Sequence, residues 1–225
     1  MEPHLLRDFT ITLNVEGAQG YHNLRRFYRD DLPNYNAVFL GEHDALRAGC
    51  DVIEFSATKA YDLFAFERSY MKDARLFLFG SAHSILQSPE AAFERLNALP
   101  FDTYINVGLE SADPDTLATL RKPIRVEMVH DAFARMMDIN RRYDRIEVTA
   151  NFVLSDDLPL DHFVSLAKLV DTQASCRAVK GGLYLSPLIG RRSEGGASRR
   201  RLLKKFHEIK VRSPLPTFLY LIQRL

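Results

Sequence analysis

Residues 104–123 read YINVGLESADPDTLATLRKP. The apolar-rich run 104–109 has the length of a buried strand. Glu110 and Ser111 follow it directly, and Asp113-Pro114-Asp115 then marks a helix start, with an acid as N-cap and a proline whose fixed φ suits the first helical turn. A strand feeding a helix through a short polar turn is half of a β-α-β unit. The pattern recurs on both sides. Upstream, residues 9–15 (FTITLNV) alternate with period two as a possible first strand, Gly17 and Gly20 mark a turn, and residues 21–30 space as an amphipathic helix that ends before Pro33. Residues 37–40 (AVFL) predict a strand, 51–70 a helix, 76–79 (LFLF) a strand, and Ser88-Pro89-Glu90 a helix with Ser88 as N-cap. Downstream, Val126, Val129, Phe133, Met136 and Met137 form the apolar stripe of a helix whose other face carries Glu127, His130, Asp131 and Arg135. Strands at 146–154 and 182–188 and helices at 159–171 and 199–212 complete the series, and the apolar C-terminal LPTFLYLIQRL is expected to dock on the body. Alternating strands and helices predict an α/β fold with a parallel sheet and helices packed over it.

With 225 residues, 46% hydrophobic and 26% charged, the chain has the composition of a soluble globular protein and not of a disordered, collagenous or disulfide-scaffold one. No apolar run approaches the roughly 18 residues that span a bilayer, and the N-terminal MEPHLLRDFT is charged where a secretory signal is apolar, so a cytoplasmic location is expected. The two cysteines, Cys50 and Cys176, form no metal spacing, which excludes a cysteine-built cluster or structural zinc within these residues. The net charge of +1 is unevenly spread. Residues 191–212 hold nine basic and two acidic side chains, leaving 21 basic and 27 acidic elsewhere, a net −6. Within that region, GRRSEGGASRRR at 190–201 is a flexible basic loop, and a solvated linker is the alternative to a binding surface.

Ligands of parallel α/β folds collect at the carboxyl ends of the strands. Those positions hold Gly41, Glu42, His43 and Asp44; then Gly80, Ser81 and His83; then Glu110 and Ser111; and finally Ser155, Asp156, Ser186 and Pro187. Glu110 is the most informative, since its position aims a carboxylate at the crevice, although an interaction with the helix start or a neighbouring lysine would equally explain it. His43 and His83 lie in no H-x-x-x-H arrangement and are as well explained as surface or packing residues. Cys50, near Arg47 at a loop or helix start, is either a thiol of lowered pKa or a structural one. The motifs G-x-S-x-G, G-x-x-x-x-G-K-[ST] and G-x-G-x-x-G are absent, against hydrolase, P-loop NTPase and dinucleotide-binding functions.

Together these strand ends resemble the radical S-adenosylmethionine (radical SAM) superfamily. YINVGLESADPDTLATLRKP looks like that family's fourth strand and following helix, NAVFLGEHDAL like its second strand, IEVTANFVLSDDLPLDHF like its fifth and GGLYLSPL like its sixth, in the right order over residues 21–188. The resemblance implies a partial (β/α)6 TIM-like barrel over residues 21–189, preceded by residues 1–20 in place of the cluster loop and followed by a basic linker and helix at 190–225. It also implies that Gly41 and Glu42 lie where the methionyl amino group of S-adenosyl-L-methionine is held, Glu110 and Ser111 near its ribose and carboxylate, Asn151 and Val153 along the adenine, and Ser186 where the sixth strand closes the pocket. The family's [4Fe-4S] cluster is bound by C-x-x-x-C-x-x-C, and here its ligand cysteines are missing. The expectation is a truncated or degenerate radical SAM enzyme that retains at most adenosyl-cofactor binding and does not cleave the cofactor reductively alone. The alternative function is nucleic-acid binding through residues 191–212, without interleaved aromatics for stacking on single strands.

Overall fold

A computed structural model describes residues 36–41, 43–69, 73–155, 157–173, 180–188 and 196–220. The expected first strand at 9–15 and helix at 21–30, together with Glu42, Tyr70, Asp156, Cys176 and residues 190–195, lie outside this set. Among the described residues six strands form one sheet in the order of the chain: β1 (Ala37–Leu40), β2 (Arg75–Ser81), β3 (Asp102–Glu110), β4 (Ile146–Leu154), β5 (Leu183–Pro187) and β6 (Thr217–Leu219). The pairs β1–β2, β4–β5 and β5–β6 are parallel. Among the described residues the order has no reversal, so it lacks the switch point of a doubly wound sheet, and with β1 and β6 at its two ends the sheet of the described residues is open and not a closed barrel. The connections hold α1 (Cys50–Leu63), α2 (Ala82–Gln87), α3 (Glu90–Ala98), α4 (Pro114–Thr119), α5 (Val126–Arg142), α6 (Leu160–Gln173) and α7 (Gly196–Arg212).

Five strands expected within the described residues are present, and β6 is a sixth, formed where the sequence predicts only a docking tail. Two helix boundaries differ from expectation. The helix expected over 51–70 stops at Leu63, because Phe64 and Phe66 are both buried and the chain turns through a left-handed Ala65 (φ 51°) to bury them. Ser88 does not cap the helix after it. Its hydroxyl donates to the Ser84 carbonyl at 2.8 Å, and Pro89 occupies the N-cap of α3. Two helices abut here, and the unsatisfied carbonyls at the end of the first claim the hydroxyl.

The described residues fall into two compact units, one of residues 36–106 with 143–147, the other of 107–142 with 148–220. In the first, Val38, Leu40, Leu76, Leu78 and Ile105 bury one set of alternate strand positions, with Ile53, Ala57, Ala60, Phe93 and Leu96 among the buried helical residues. Tyr61, Phe66 and Phe101 meet edge to face at its base. In the second, Val107, Leu109, Val148, Ala150, Phe152, Leu183 and Leu185 are buried, as are Val129, Phe133, Met136 and Met137, the expected stripe of α5. Asn140 of that helix closes onto β4: its amide donates to the Val148 carbonyl at 2.8 Å and accepts from the Val148 N–H at 2.7 Å. Gly181 (φ 99°) lies against this clamp, where a Cβ would sit 2.6 Å from Asn140 Nδ2, so only glycine fits.

The other set of strand positions is half open. Strands buried on both faces read as continuous apolar runs, whereas β3 alternates buried and half-exposed residues along its whole length. In the first unit the open set includes Phe39, Phe77 and Tyr104, whose rings stack at 4.7 and 5.2 Å. In the second it includes Asn151, Tyr184, Ser186 and Phe218.

Candidate functional site

In the first unit, β1 ends at Gly41, where φ is 78° and a Cβ would lie 2.9 Å from that of Ala45, so backbone and space both demand glycine. The turn brings Asp44 beside Ser81 at the end of β2. Ser81 Oγ donates to Asp44 Oδ2 at 2.7 Å while also capping α2 by accepting from Ser84 N–H at 3.1 Å. Asp44 Oδ1 is buried and has no hydrogen-bond partner. Buried carboxylate oxygens are nearly always satisfied, so an orphan marks a place where a donor belongs. Asp44, Ser81, His83, Arg47 and Cys50 line a cavity of about 740 Å³ whose apolar wall includes Ile53, Phe93 and Leu96. Cys50 opens α1 with its thiol 3.5 Å from the Ala92 carbonyl. Burial pushes its pKa up, and the nearby Arg95 guanidinium lowers it by less than burial raises it, which favours the structural thiol over the activated one. His43 and His83 are exposed.

In the second unit, Glu110 ends β3 with a left-handed backbone (φ 65°), in a tight turn closed by the Ser111 N–H to the Leu109 carbonyl at 2.8 Å. Its carboxylate is 19% exposed and takes a 2.7 Å ion pair from Lys122, the neighbouring-lysine interaction that the sequence allows. Ser111 is fully buried, accepts the Asp113 N–H at 3.0 Å and meets His162 Nδ1 at 2.8 Å. Asp113 caps α4 by accepting from the Thr116 N–H and hydroxyl, as its Asp-Pro signal predicts. Val153 is buried and offers its carbonyl to His162 Nε2 at 3.0 Å. Asn151 Oδ1 accepts from Ser186 Oγ at 2.7 Å across β4 and β5, where Asn151 is the register partner of Tyr184, which stacks on Phe218 of β6.

Within the second unit, then, the expected contacts form three local groups: Glu110 with Lys122, Ser111 and Val153 joined through His162, and Asn151 with Ser186. Gly41 belongs to the first unit, and Glu42 lies outside the described residues. Two residues gain weight that the sequence does not give them. In the sequence Asp44 is one of several rim positions, and its orphan oxygen depends on where Ser81 falls. His162 follows no motif and carries its role through burial. Among the described residues no group of three His, Cys, Asp or Glu side chains is placed to hold a metal ion, and no helix is long and apolar enough to cross a membrane. No protein-family model and no curated protein matches the chain.

Proposed function

We propose that the chain is a radical SAM-like protein, a partial (β/α)6 barrel in lineage, that binds an adenosyl compound at the carboxyl ends of its strands. Parallel strands in chain order, with polar residues on a half-open face, support that lineage. The observation that carries the binding is Asp44 Oδ1, buried at a strand end without a donor. S-adenosyl-L-methionine brings an ammonium group and ribose hydroxyls that supply one. A [4Fe-4S] cluster does not fit the residues present. It needs three thiolates, the chain has two cysteines, and the Cys50 thiol is directed to a helix carbonyl. No reductive step is therefore assigned to this chain's residues.

Isothermal titration with S-adenosyl-L-methionine tests the reading. Binding is expected, with Asp44→Asn weakening it about ten-fold, equivalent to about 1.4 kcal/mol. Absence of any binding by the native chain sinks the proposal.

Nucleic-acid binding through residues 191–212 is the second reading, favoured by the disposition of α7. Arg200, Lys204, Arg201 and Arg212 are exposed and fall, together with the exposed Glu208 and Val211, within about 120° of the helix circumference at 3.6 residues per turn, opposite the half-buried Leu202, Phe206 and Ile209. If these four cations each replace a counterion on a single strand, affinity for labelled RNA should fall about fifty-fold between 50 and 200 mM salt. No binding at low salt removes this reading.

A further inference from the structure

Four groups in the second unit, Asp113 N–H, Ser111 Oγ, His162 and the Val153 carbonyl, are linked in series by hydrogen bonds of 3.0, 2.8 and 3.0 Å. Their directions follow from chemistry. A carbonyl only accepts, so Nε2 carries the proton facing Val153. The uncharged ring then has a bare Nδ1, which receives the Ser111 hydroxyl proton, and Ser111 Oγ in turn receives the Asp113 amide proton. Every donor in this fully buried cluster has an acceptor only while the imidazole is neutral. A proton added at Nδ1 would turn that nitrogen into a donor, leave the Ser111 hydroxyl hydrogen without its acceptor and place a charge in the interior.

We propose that Ser111 and His162 form a proton-operated latch tying the turn after β3 to the end of β4, closed when the ring is neutral and released when it is protonated. The latch stands whether or not the strand ends bind an adenosyl compound. What it holds is the strained turn bearing Glu110 and the N-cap of α4, so release loosens the polar end of β3 while the strand itself stays buried.

The surroundings set when it opens. Burial pushes the His162 pKa below the ordinary histidine value, the hydrogen bond to Val153 and the Asp113 carboxylate oppose this, and Lys205 of α7 adds to it. The charged groups facing the ring are therefore Asp113 from the turn after β3 and Lys205 from α7, with Phe163 edge-on at 4.8 Å beneath Lys205.

Two measurements on the full chain decide the matter. Nitrogen-15 NMR of the imidazole at pH 7.5 should show the Nε2–H tautomer, and an Nδ1–H tautomer overturns the proposal. Native-state hydrogen exchange, corrected for intrinsic rates, should show protection of the Asp113 amide falling by up to ten-fold per pH unit below about 6.5, relative to the Leu185 amide of β5. His162→Gln should abolish that pH dependence. Lys205→Gln leaves all three hydrogen bonds in place and, by raising the pKa of the closed ring, should end the decline at a higher pH and make the total loss of protection smaller with the onset unchanged, which keeps a test available if the first variant does not fold. Protection at Asp113 that tracks Leu185 at every pH, or a pH dependence unchanged in both variants, refutes the latch.

Discussion

Glu110 combines two costs at one position. A left-handed backbone costs a residue with a Cβ about 1–2 kcal/mol, and its carboxylate is held one-fifth exposed against a single lysine. Half-exposed ion pairs contribute about 0–1 kcal/mol, so the pair does not plainly offset the strain. Such strain persists where the side chain serves something other than stability. Glu110→Gly should therefore raise stability by roughly 0.5–1 kcal/mol in urea denaturation. A variant that loses stability places the value of Glu110 in the fold alone. The residue itself is legible in the sequence, because an acid directly after an apolar strand is visible in one dimension. The backbone strain is not, since it depends on how the turn is closed.

At the scale of elements, Asp113 and Ser88 look alike in the sequence, each a small polar residue before Pro-Asp or Pro-Glu, and they behave differently in the fold. Asp113 follows a strand whose carbonyls are already spoken for, so its side chain is free to take the Thr116 N–H and hydroxyl. Ser88 follows a helix with carbonyls to satisfy, and its hydroxyl turns back to one of them. Asp113→Ala should cost about 1–2 kcal/mol as a lost buried cap, whereas Ser88→Ala should stay within about 0.5 kcal/mol; equal losses in chemical denaturation would contradict this assignment. The stripe of α5 is legible because its period is local, and so is the alternation of β3, once its half-open face is recognised in Tyr104, Asn106, Gly108 and Glu110. The end of α1 is not, since Phe64 and Phe66 break the helix to reach ring partners that the local pattern cannot specify.

For the molecule as a whole, the alternation of strands and helices carries the fold class, and chain-order pairing extends it to an open parallel sheet. β6 escapes a sequence reading because three residues after a basic helix lack any periodic signal; it exists because Leu183 N–H bonds the Pro216 carbonyl and Tyr220 N–H the Leu185 carbonyl. His162 escapes for a related reason, its partners lying 51 and 9 positions away, and it gives the whole fold a pH dependence whose sign is fixed. Its pKa is lowered in the folded state from an ordinary value of 6.5, with burial as the first cause. Between those two values the unfolded chain binds a proton that the folded chain refuses, so stability is fully present above about 6.5, declines as pH falls below it, and stops declining on this account once the folded ring is itself protonated. Urea midpoints at pH 7.5, 6.5 and 5.5 should fall in that order. His162→Gln, which starts from lower stability, should show a flatter dependence over the same range, since the glutamine takes up no proton in either state. Parallel declines in both proteins would assign the effect to other groups and leave His162 a buried residue without a titrating role.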